Sequence, residues 1–350
     1  MSQPATEVRP SIDAGLLPAA RLGIVLVNWN RWTDTIECLE SILRSTIPVR
    51  VVVVDNASED GSLDYIEAWA RGEQLAVASD AAMERFSTPP VAKPLHYERL
   101  GSASSGGSAT LTLIEAGGNL GFAGGNNVGI RHLLLDSHIR FVWLLNNDTV
   151  AEPTAAAALL SRLTATHRVG MCGTVVRYYH RPDIVQALNG SRFSAATGNS
   201  RGIGAGSRAG RPFDPAAVAR NTDLVLGASL AVSRSFVEAV GPMEEDYFLY
   251  FEEIDWAVRN RGRFRTAFAH AATVYHKEGG SIGSSGQAGQ RSNLSEYYLM
   301  RSRLKFIRRH HPWLLPQHLI LGVAQVGRRL LRRQPGKAWA MTRALLGIAY

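Results

Sequence analysis

Three carboxylates lie within four positions, directly after an aromatic run. Residues 246–255 read Asp-Tyr-Phe-Leu-Tyr-Phe-Glu-Glu-Ile-Asp, which places Glu252, Glu253 and Asp255 at the start of a predicted helix. A carboxylate beside apolar rings is costly unless a positive or protic group meets it. The cluster therefore indicates a general base or a ligand site. The structural alternative is that acids in a first helical turn complement the helix dipole, with Asp255 paired to Arg259.

Four further polar clusters each follow an apolar strand pattern. In an open parallel sheet, ligands bind beyond the carboxyl ends of the strands, so one crevice is expected to collect all four clusters. They are Asn28 to Asn30, Asp55 with Asn56, Asn119 to Asn127, and Asn146 to Asp148.

Two of these clusters indicate particular ligands. The carboxylate of Asp55 can accept a hydrogen bond from a pyrimidine base or a ribose hydroxyl, and an Asx turn that closes the strand is the alternative. The oxygens around Asp148 suit Mg²⁺ or Mn²⁺, for which phosphates and waters complete the ligand shell. A simple Asn-Asn-Asp-Thr turn is the alternative there. The glycines from Gly117 to Gly129 do not spell GxGxxG, which disfavours a dinucleotide-binding dehydrogenase.

Strand and helix patterns alternate along the chain, which predicts an α/β fold with a mostly parallel sheet flanked by helices. Residues 22–27 and 49–54 are apolar runs of the kind that form buried parallel strands. Between them apolar residues recur at helical spacing, and Asp34 with Glu37 resembles a capping box. A strand, helix and strand in this order require a right-handed crossover. Three segments rich in Gly, Ser, Pro or Arg are predicted to be loops: 79–109, 198–210 and 278–292.

Composition bounds the class of protein. The 350 residues are 45% hydrophobic and 19% charged and include two cysteines, so the chain is globular without a disulfide framework. Cys38 and Cys172 are predicted core residues in a reducing compartment. Residues 1–20 show no signal-peptide pattern and are predicted to be a loose tail. We expect the main domain at 21–296 and a basic helical extension at 297–350.

The positive charge is concentrated in that extension. Residues 297–350 contain eleven Lys and Arg and no Asp or Glu, so the net charge of +8 leaves −3 for the rest of the chain. A nucleic-acid groove across the main domain would need its basic residues there. Nucleic acid is therefore not an expected partner.

The same extension predicts contact with a membrane. Apolar residues from Tyr297 to Ile307 fall at helical spacing with cationic residues between them, as in helices that lie on an anionic surface. The apolar stretch from Trp313 to Val326 is shorter than the ~20 residues that span a bilayer. We expect a cytoplasmic protein bound peripherally to the inner face of the plasma membrane. A helix packed on the main domain with a solvated basic face is the alternative.

Six motifs in order give the chain a family resemblance. The motifs cover residues 22 to about 310 and are IVLVNWN (24–30), VVVDNASEDGS (52–62), GGNLGFAGGNNVGI (117–130), LLNNDT (144–149), FLYFEEIDWAVR (248–259) and VYHKEGGS (274–281). With these motifs the chain resembles the family-2 inverting glycosyltransferases of the GT-A fold, and among them the bacterial rhamnosyltransferase-like members.

The resemblance implies roles at the donor and metal sites. Asp148 corresponds to the metal-binding aspartate of the family's DXD element, with Mg²⁺ or Mn²⁺ as cofactor, and Asn146 replaces the first Asp of that element. His276 stands where relatives supply a histidine to the metal or the diphosphate; a surface histidine after a strand is the alternative. Asp55 is implied to contact the donor base, and the other residues expected to bind the donor are Asn28, Asn30, Asn56, Asn119, Asn126 and Asn147.

The resemblance also implies roles for the residues of the acidic motif. The family's Glu-Asp pair becomes Glu252-Glu253, whose second position is the general base, so both residues are catalytic candidates and Glu253 is the base. Asp255 corresponds to a position that contacts the acceptor in some relatives. Trp256 is either a platform for the acceptor or a core residue.

The function implied is the inverting transfer of a sugar, with L-rhamnose first, from a dTDP- or UDP-linked donor to a glycan or lipid-linked acceptor. Two alternatives remain open: a nucleotidyltransferase acting on a sugar phosphate, and a non-catalytic sugar-binding scaffold of the same fold. A glycoside hydrolase would need two facing carboxylates and no nucleotide pocket.

Overall fold

The structure is a computed structural model that describes residues 21–101, 109–278 and 291–350. The predicted tail at 1–20 and most of the predicted loop at 278–292 lie outside the described residues. The first half of the described chain is a parallel α/β unit. Its elements are β1 (Leu22–Asn28), α1 (Trp32–Ile42), β2 (Arg50–Asp55), α2 (Ser62–Arg71), β3 (Tyr97–Leu100), β4 (Leu111–Glu115), α3 (Gly121–Leu133) and β5 (Phe141–Leu145).

The second half extends the same sheet and adds antiparallel strands. Its elements are β6 (Thr149–Ala151), α4 (Ala155–Ala165), β7 (Val169–Tyr178), β8 (Arg181–Leu188), β9 (Gly190–Ser194), β10 (Asn199–Gly202), α5 (Pro215–Arg220), β11 (Leu224–Val225), β12 (Ser229–Ser233), α6 (Arg234–Val240), α7 (Glu252–Arg259) and β13 (Arg265–His276).

The strand order places the polar clusters along one edge. The large sheet runs β3-β4-β2-β1-β5-β12-β7-β13-β6, with β8 paired to β7. The strands β3, β4, β2, β1 and β5 are all parallel, and β12 is antiparallel to both of its neighbours. β1 and β2 are in register from Gly23 opposite Arg50 to Asn28 opposite Asp55, so two predicted site residues end neighbouring strands side by side. The predicted α/β fold with a mostly parallel sheet is confirmed.

Apolar side chains from the strands pack on both faces of the sheet. On one face Ile24, Leu26 and Val53 pack with residues of α1, α2 and α4. On the other face Val25 and Val54 pack with residues of α3 and α6. Because both faces are covered, the central strands are apolar along most of their length, which explains the continuous runs in the sequence.

Three local predictions were wrong. Asp34 and Glu37 do not cap α1, because both carboxylates instead bind Lys277 at the end of β13. The segment 79–109 contains a short 3-10 helix at Ala81–Phe86 and the edge strand β3, and the segment 198–210 contains β10. These strands carry few apolar residues because they lie at sheet edges.

The C-terminal unit, residues 293–350, contains three α-helices, α8 (Asn293–His310), α9 (Leu315–Leu331) and α10 (Pro335–Leu345), with a short 3-10 helix at Pro312–Leu314 between the first two. α8 packs on the main domain, where Phe306 and Ile307 are fully buried against Tyr247 and Phe251. The amphipathic helix predicted at 297–307 therefore covers protein with its apolar face. Among the described residues, no helix is both long enough and apolar enough to cross a membrane.

Candidate active site

The buried side chain of Asn28 connects two of the predicted clusters. Its Nδ2 donates to Asp55 Oδ1 over 2.7 Å and to Ser58 Oγ over 3.0 Å. Its Oδ1 accepts from Thr35 Oγ1 at 2.7 Å and lies 3.4 Å from Asn147 Nδ2, which also donates to Thr35 Oγ1 at 2.9 Å. A continuous hydrogen-bonded chain therefore runs from the end of β2 to the segment after β5.

Asp55 lies at the wall of an open pocket. Its carboxylate accepts from Asn28 Nδ2, from the Ser58 hydroxyl at 2.6 Å and from the Ser58 backbone N–H at 2.9 Å. Each carboxylate oxygen has two lone pairs, so Oδ2 keeps capacity for a further donor. The pocket has a volume of about 310 Å³ and is also lined by Arg99, Glu115 and Gly117. The site can therefore receive a planar ring that carries an N–H group.

Asp148 and His276 form a buried pair at the neighbouring strand end. His276 Nε2 lies 3.1 Å from Asp148 Oδ1, and His276 Nδ1 lies 2.9 Å from Gln186 Oε1, an acceptor that orients the ring. Burial alone would raise the pKa of Asp148, but the charge and hydrogen bond of His276 outweigh it and hold this pKa below its usual value. Burial likewise opposes the charge on His276, yet Asp148 raises the pKa of the imidazole. Asn146 Nδ2 lies 3.4 Å from His276 Nε2 and completes the group.

The chemistry of this pair fits a divalent cation. Among the described residues, no group of three or more His, Cys, Asp and Glu side chains is placed to hold a metal. Mg²⁺ and Mn²⁺ commonly take only one or two protein ligands and complete their shell with phosphate oxygens and water. An ionised carboxylate beside an imidazole supplies that number, so Asp148 and His276 are the residues that would hold the cation.

The acidic motif begins in a strained loop. Phe248, Tyr250 and Phe251 have φ values of 64°, 66° and 73°, which bulky side chains adopt only under constraint. Three contacts hold this loop: the Ser302 hydroxyl donates to Leu249 O at 2.8 Å, Phe122 N donates to Phe248 O at 2.9 Å, and Phe248 stacks on Tyr298. The loop presents the first turn of α7 at the carboxyl edge of the sheet.

The two glutamates of α7 differ in exposure. Glu252 is 1% exposed and its Oε1 has no hydrogen-bond partner in the described structure, whereas Glu253 is partly exposed. Burial raises the pKa of both carboxyls, and the charge of Glu253 raises the pKa of Glu252 further. Of the two, Glu253 is the carboxylate that solutes can reach.

Glu253 also lies next to the Asn146 segment. A Cβ added at Gly227 would stand 2.0 Å from Glu253 Oε1, so the carboxylate occupies the space that this glycine leaves open. The neighbouring Ala228 O accepts a hydrogen bond from Asn146 N at 3.1 Å. The loop before β12 thus joins the predicted base to the predicted metal site.

Asp255 and Trp256 lie elsewhere. Asp255 is fully buried, and its carboxylate accepts from Arg259 Nε at 2.6 Å, from His310 Nε2 at 2.7 Å and from the Tyr247 hydroxyl at 3.1 Å. Trp256 is fully buried, contacts Phe236 edge-on and donates to Gly241 O at 2.8 Å. These positions do not support the predicted contacts with an acceptor. Both residues instead fix α7, and Asp255 ties it to α8.

The remaining predicted donor residues shape the loops around the crevice. Asn30 Oδ1 accepts from Glu59 N at 2.8 Å, and Asn56 Nδ2 donates to Gly121 O at 2.9 Å while its Oδ1 has no partner in the described structure. Asn119 is exposed and its Oδ1 accepts from Gly121 N at 3.1 Å. Asn126 Nδ2 binds Phe122 O within α3. Asn30 and Asn56 thus lie at the crevice, whereas the side chain of Asn126 donates its hydrogen bond within α3.

Several residues of the site were missed in the sequence. Ser58 lies within a quoted motif and Thr35 five residues after one, whereas Gly227 is far from all of them, and only the folded contacts give these residues a role. Lys277 follows His276 directly, and its Nζ lies 2.5 Å from Asp34 Oδ1 and 2.6 Å from Glu37 Oε2. Gln186 lies on β8, far along the chain from His276, and no motif signals it.

Comparison with known proteins supports this architecture. Residues 23–78 match the model of the family described as Glycosyl transferase family 2, which confirms the resemblance to that family. Over 160 residues, the chain is 26% identical to the low-salt glycan biosynthesis hexosyltransferase Agl10 of Haloferax volcanii. That alignment covers 42% of this chain and 45% of the relative, so the chain matches less than half of the relative's length.

Solved structures are similar to nearly the whole chain. The structure of S. aureus TarS 1-349 in complex with UDP-GlcNAc is 14% identical, covers 93% of this chain and 81% of that chain, and has a TM-score of 0.51. The mannosyltransferase PcManGT from Pyrobaculum calidifontis, in complex with GDP-Man and Mn²⁺, is 16% identical with 93% and 85% coverage and a TM-score of 0.49. The likeness to TarS shows the fold, which is the GT-A fold.

The burial of Asp255 predicts a structural role with a measurable cost. Asp255→Asn should lower the free energy of unfolding at pH 7 by about 3–5 kcal/mol, because it removes the buried carboxylate charge that Arg259 and His310 contact. The matched control is Asp246→Asn, whose ion pair with Lys305 is exposed and should cost at most about 1 kcal/mol. Urea unfolding compares the variants. An equal loss for both would contradict the structural role, and a higher acceptor KM at unchanged stability would restore the predicted acceptor contact.

Proposed function

We propose, since this chain carries a family 2 glycosyltransferase segment on a GT-A fold, that it is an inverting glycosyltransferase. It moves a hexose from a nucleotide-sugar donor to a hydroxyl of a glycan or a lipid-linked acceptor. The observation that carries the proposal is the position of Glu253. This partly exposed carboxylate has a raised pKa and lies in the first turn of α7, directly after the strained loop. The loop before β12 joins it to the segment of Asp148, and the hydrogen bonds of Asn28 join that segment to the Asp55 pocket.

The donor is proposed to lie along the carboxyl edge of the sheet. Its base enters the Asp55 pocket, where the free lone pair of Oδ2 accepts the base N–H. A pyrimidine offers such an N–H, which supports a dTDP- or UDP-linked sugar. We take L-rhamnose as the first candidate sugar because of the motif resemblance, with a UDP-linked hexose next.

The reaction is proposed to be a single displacement. The acceptor hydroxyl oxygen attacks the anomeric carbon as the bond from that carbon to the diphosphate oxygen breaks, so the configuration inverts. Glu253 takes the hydroxyl proton, and its raised pKa brings the base closer to neutral pH than an ordinary glutamate. Glu252 is buried behind it, and burial together with the charge of Glu253 raises the pKa of Glu252.

A divalent cation is proposed as cofactor, held by Asp148 and His276. When bound, Mg²⁺ or Mn²⁺ would neutralise the charge that develops on the departing diphosphate. Gln186 holds the imidazole in orientation through Nδ1, and such partners of ligating histidines contribute to metal affinity.

A peripheral membrane location is proposed from the exposed apolar side chains of α9. Its inward side carries the fully buried His318, and its outward side carries Ile320, Val323 and Leu331 with 71%, 66% and 88% of each residue exposed. Soluble monomers rarely expose such a stripe. Since the C-terminal unit holds the excess basic charge, an anionic lipid surface is the proposed partner.

The first test concerns the base. Glu253→Gln should lower the transfer rate by roughly two orders of magnitude or more while donor binding stays intact, because only proton transfer is lost. Glu252→Gln should retain more activity. Gly227→Ala should lower the rate as well, since its methyl group displaces the Glu253 carboxylate, whereas Gly101→Ala, in open space, should not. The transfer rate is measured as product formation with a panel of nucleotide sugars, and donor affinity is measured by calorimetry on the same variants. If Glu252→Gln is inactive and Glu253→Gln is active, the general base is Glu252 and the assignment to Glu253 is wrong.

The second test concerns the cation. Asp148→Asn and His276→Ala should each raise the Mn²⁺ concentration needed for half-maximal activity, because each removes a proposed ligand. Asn146→Asp should lower it, because that change restores the second carboxylate of the DXD element. Activity is titrated after EDTA treatment. Full activity of the wild type in excess EDTA would exclude the proposed role of the metal.

The third test concerns the membrane. The double change Ile320→Ser and Val323→Ser should sharply reduce flotation of the protein with anionic vesicles. Leu75→Ser with Val77→Ser is the matched control, because these residues are 62% and 72% exposed on the main domain. High salt should release the wild type. If neither pair of changes affects flotation, α9 does not contact the vesicle surface.

A further inference from the structure

The C-terminal unit contains a cavity with a strongly basic lining. It lies between α8, α9, α10 and the start of β10 and has a volume of about 170 Å³. Two amides, Asn199 and Gln325, line it together with five arginines: Arg291, Arg303, Arg328, Arg329 and Arg332. One water occupies about 30 Å³ of liquid, so the cavity has room for an anion of several heavy atoms. It is separate from the crevice at the carboxyl edge of the sheet.

The carboxylates near this cavity do not balance its arginines. Glu296 is its one acidic lining residue, and that carboxylate already binds Arg329. The chain after Glu296 contains no Asp or Glu, and residues 279–290 contain none either. Of the five guanidinium groups, four therefore face the cavity without a carboxylate within ion-pair distance in the described structure.

Arg303 is the buried member of the set. It is 5% exposed, and its Nε is buried without a hydrogen-bond partner in the part of the chain that the structure describes. Its NH2 group donates to Met300 Sδ, a weak acceptor, at 2.9 Å. Burial lowers the pKa of the guanidinium, and no anion among the described residues opposes that effect. A buried cation left this way costs stability unless a ligand meets it.

Local geometry keeps this arginine in place. Gly198 has φ +68°, and a Cβ added there would stand 2.5 Å from Arg303 Cδ, so the glycine makes room for the side-chain stem. His318 closes the other side, with its Nε2 on Ala195 O at 2.8 Å. The guanidinium is thus pre-positioned at the cavity, which reduces the entropy lost when a ligand binds.

We propose that this cavity is a binding site for a phosphate or diphosphate group. Guanidinium forks bind phosphate oxygens in pairs, and buried Arg303 with Arg328 and Arg332 at the rim present several such forks to one anion. Arg328 and Arg332 are exposed and flank Leu330 and Leu331 on α9, so the mouth opens beside the apolar stripe. The phosphate can come from a lipid head group at that surface or from a soluble phosphate compound.

Calorimetry with inorganic phosphate and pyrophosphate tests the site itself. Titrations in EDTA, without divalent ions, keep the Asp148 site from contributing a metal-bridged anion. Arg303→Met and Arg332→Gln should each weaken binding by roughly tenfold or more, because each removes charge-assisted hydrogen bonds. Arg308→Gln, an exposed arginine of α8 outside the cavity, should bind like the wild type. Absence of binding, or an equal loss in all three variants, would overturn the proposal.

Thermal unfolding separates a ligand residue from a structural one. Without phosphate, Arg303→Met should unfold a few degrees higher than the wild type, since an unpaired buried charge is removed and the apolar stem is kept. With phosphate, the wild type should be stabilised and Arg303→Met should not. A variant that unfolds at a lower temperature and still gains stability from phosphate would assign Arg303 to structure alone.

Vesicles distinguish the two sources of phosphate. If the ligand is a lipid head group, the wild type should float with phosphatidate vesicles more than with phosphatidylglycerol vesicles of equal charge, and Arg303→Met should lose that preference. If the ligand is soluble, the preference is absent and the calorimetric binding remains. Ile320→Ser with Val323→Ser should lose flotation but keep phosphate binding in calorimetry. Failure of the membrane proposal and failure of the phosphate site are therefore distinguishable, and both are independent of transfer at Glu253.

Discussion

The buried amide of Asn28 is the contact on which the geometry of the site depends. An asparagine donates from one atom and accepts at another, so this residue joins the acceptor Asp55 to the donors Thr35 and Asn147 at once. A leucine or an aspartate at this position could not satisfy both sides. Because the residue ends a central strand between β2 and β5, its bonds hold the Asp55 pocket and the segment of Asp148 in fixed relation. Buried polar networks of this kind are costly when they are incomplete and rigid when they are satisfied.

A second constraint is the strained loop before α7. Phe248, Tyr250 and Phe251 have positive φ angles, which would relax to negative values in an isolated peptide. Contacts with the rest of the protein must therefore hold this backbone conformation. Ser302 and Tyr298 of α8 and Phe122 of α3 do so, while Asp255 clamps the following turn to His310. The C-terminal unit therefore takes part in positioning Glu253. Its remaining surfaces, the apolar stripe of α9 and the arginine cavity, lie on other sides of the same three helices.

Much of the fold and part of the site could be predicted from the sequence. Continuous apolar runs predicted buried parallel strands because both faces of the sheet are covered, and strand ends predicted the crevice because parallel strands align their carboxyl ends. Asn28, Asp55, Asp148 and His276 were selected in this way or through the motif resemblance, and the structure places Asn28 against Asp55 and Asp148 against His276. The edge strands β3 and β10 were missed, since strands at an edge need few apolar residues.

The sequence by itself determined which residues stand at the strand ends and how much charge the C-terminal unit carries. It did not determine which carboxylates meet a partner, because ion pairs form between residues that are distant in the chain. Asp34 and Glu37 have the spacing of a helix cap yet bind Lys277, about 240 positions away. Asp255 follows Glu253 by two residues yet points to α8, since successive helical side chains face different directions. The same geometry left Ile320 and Val323 of α9 exposed, and left Arg303 buried with no carboxylate within ion-pair distance among the described residues. Local spacing fixes the direction of a side chain within its helix, and only packing decides what it meets.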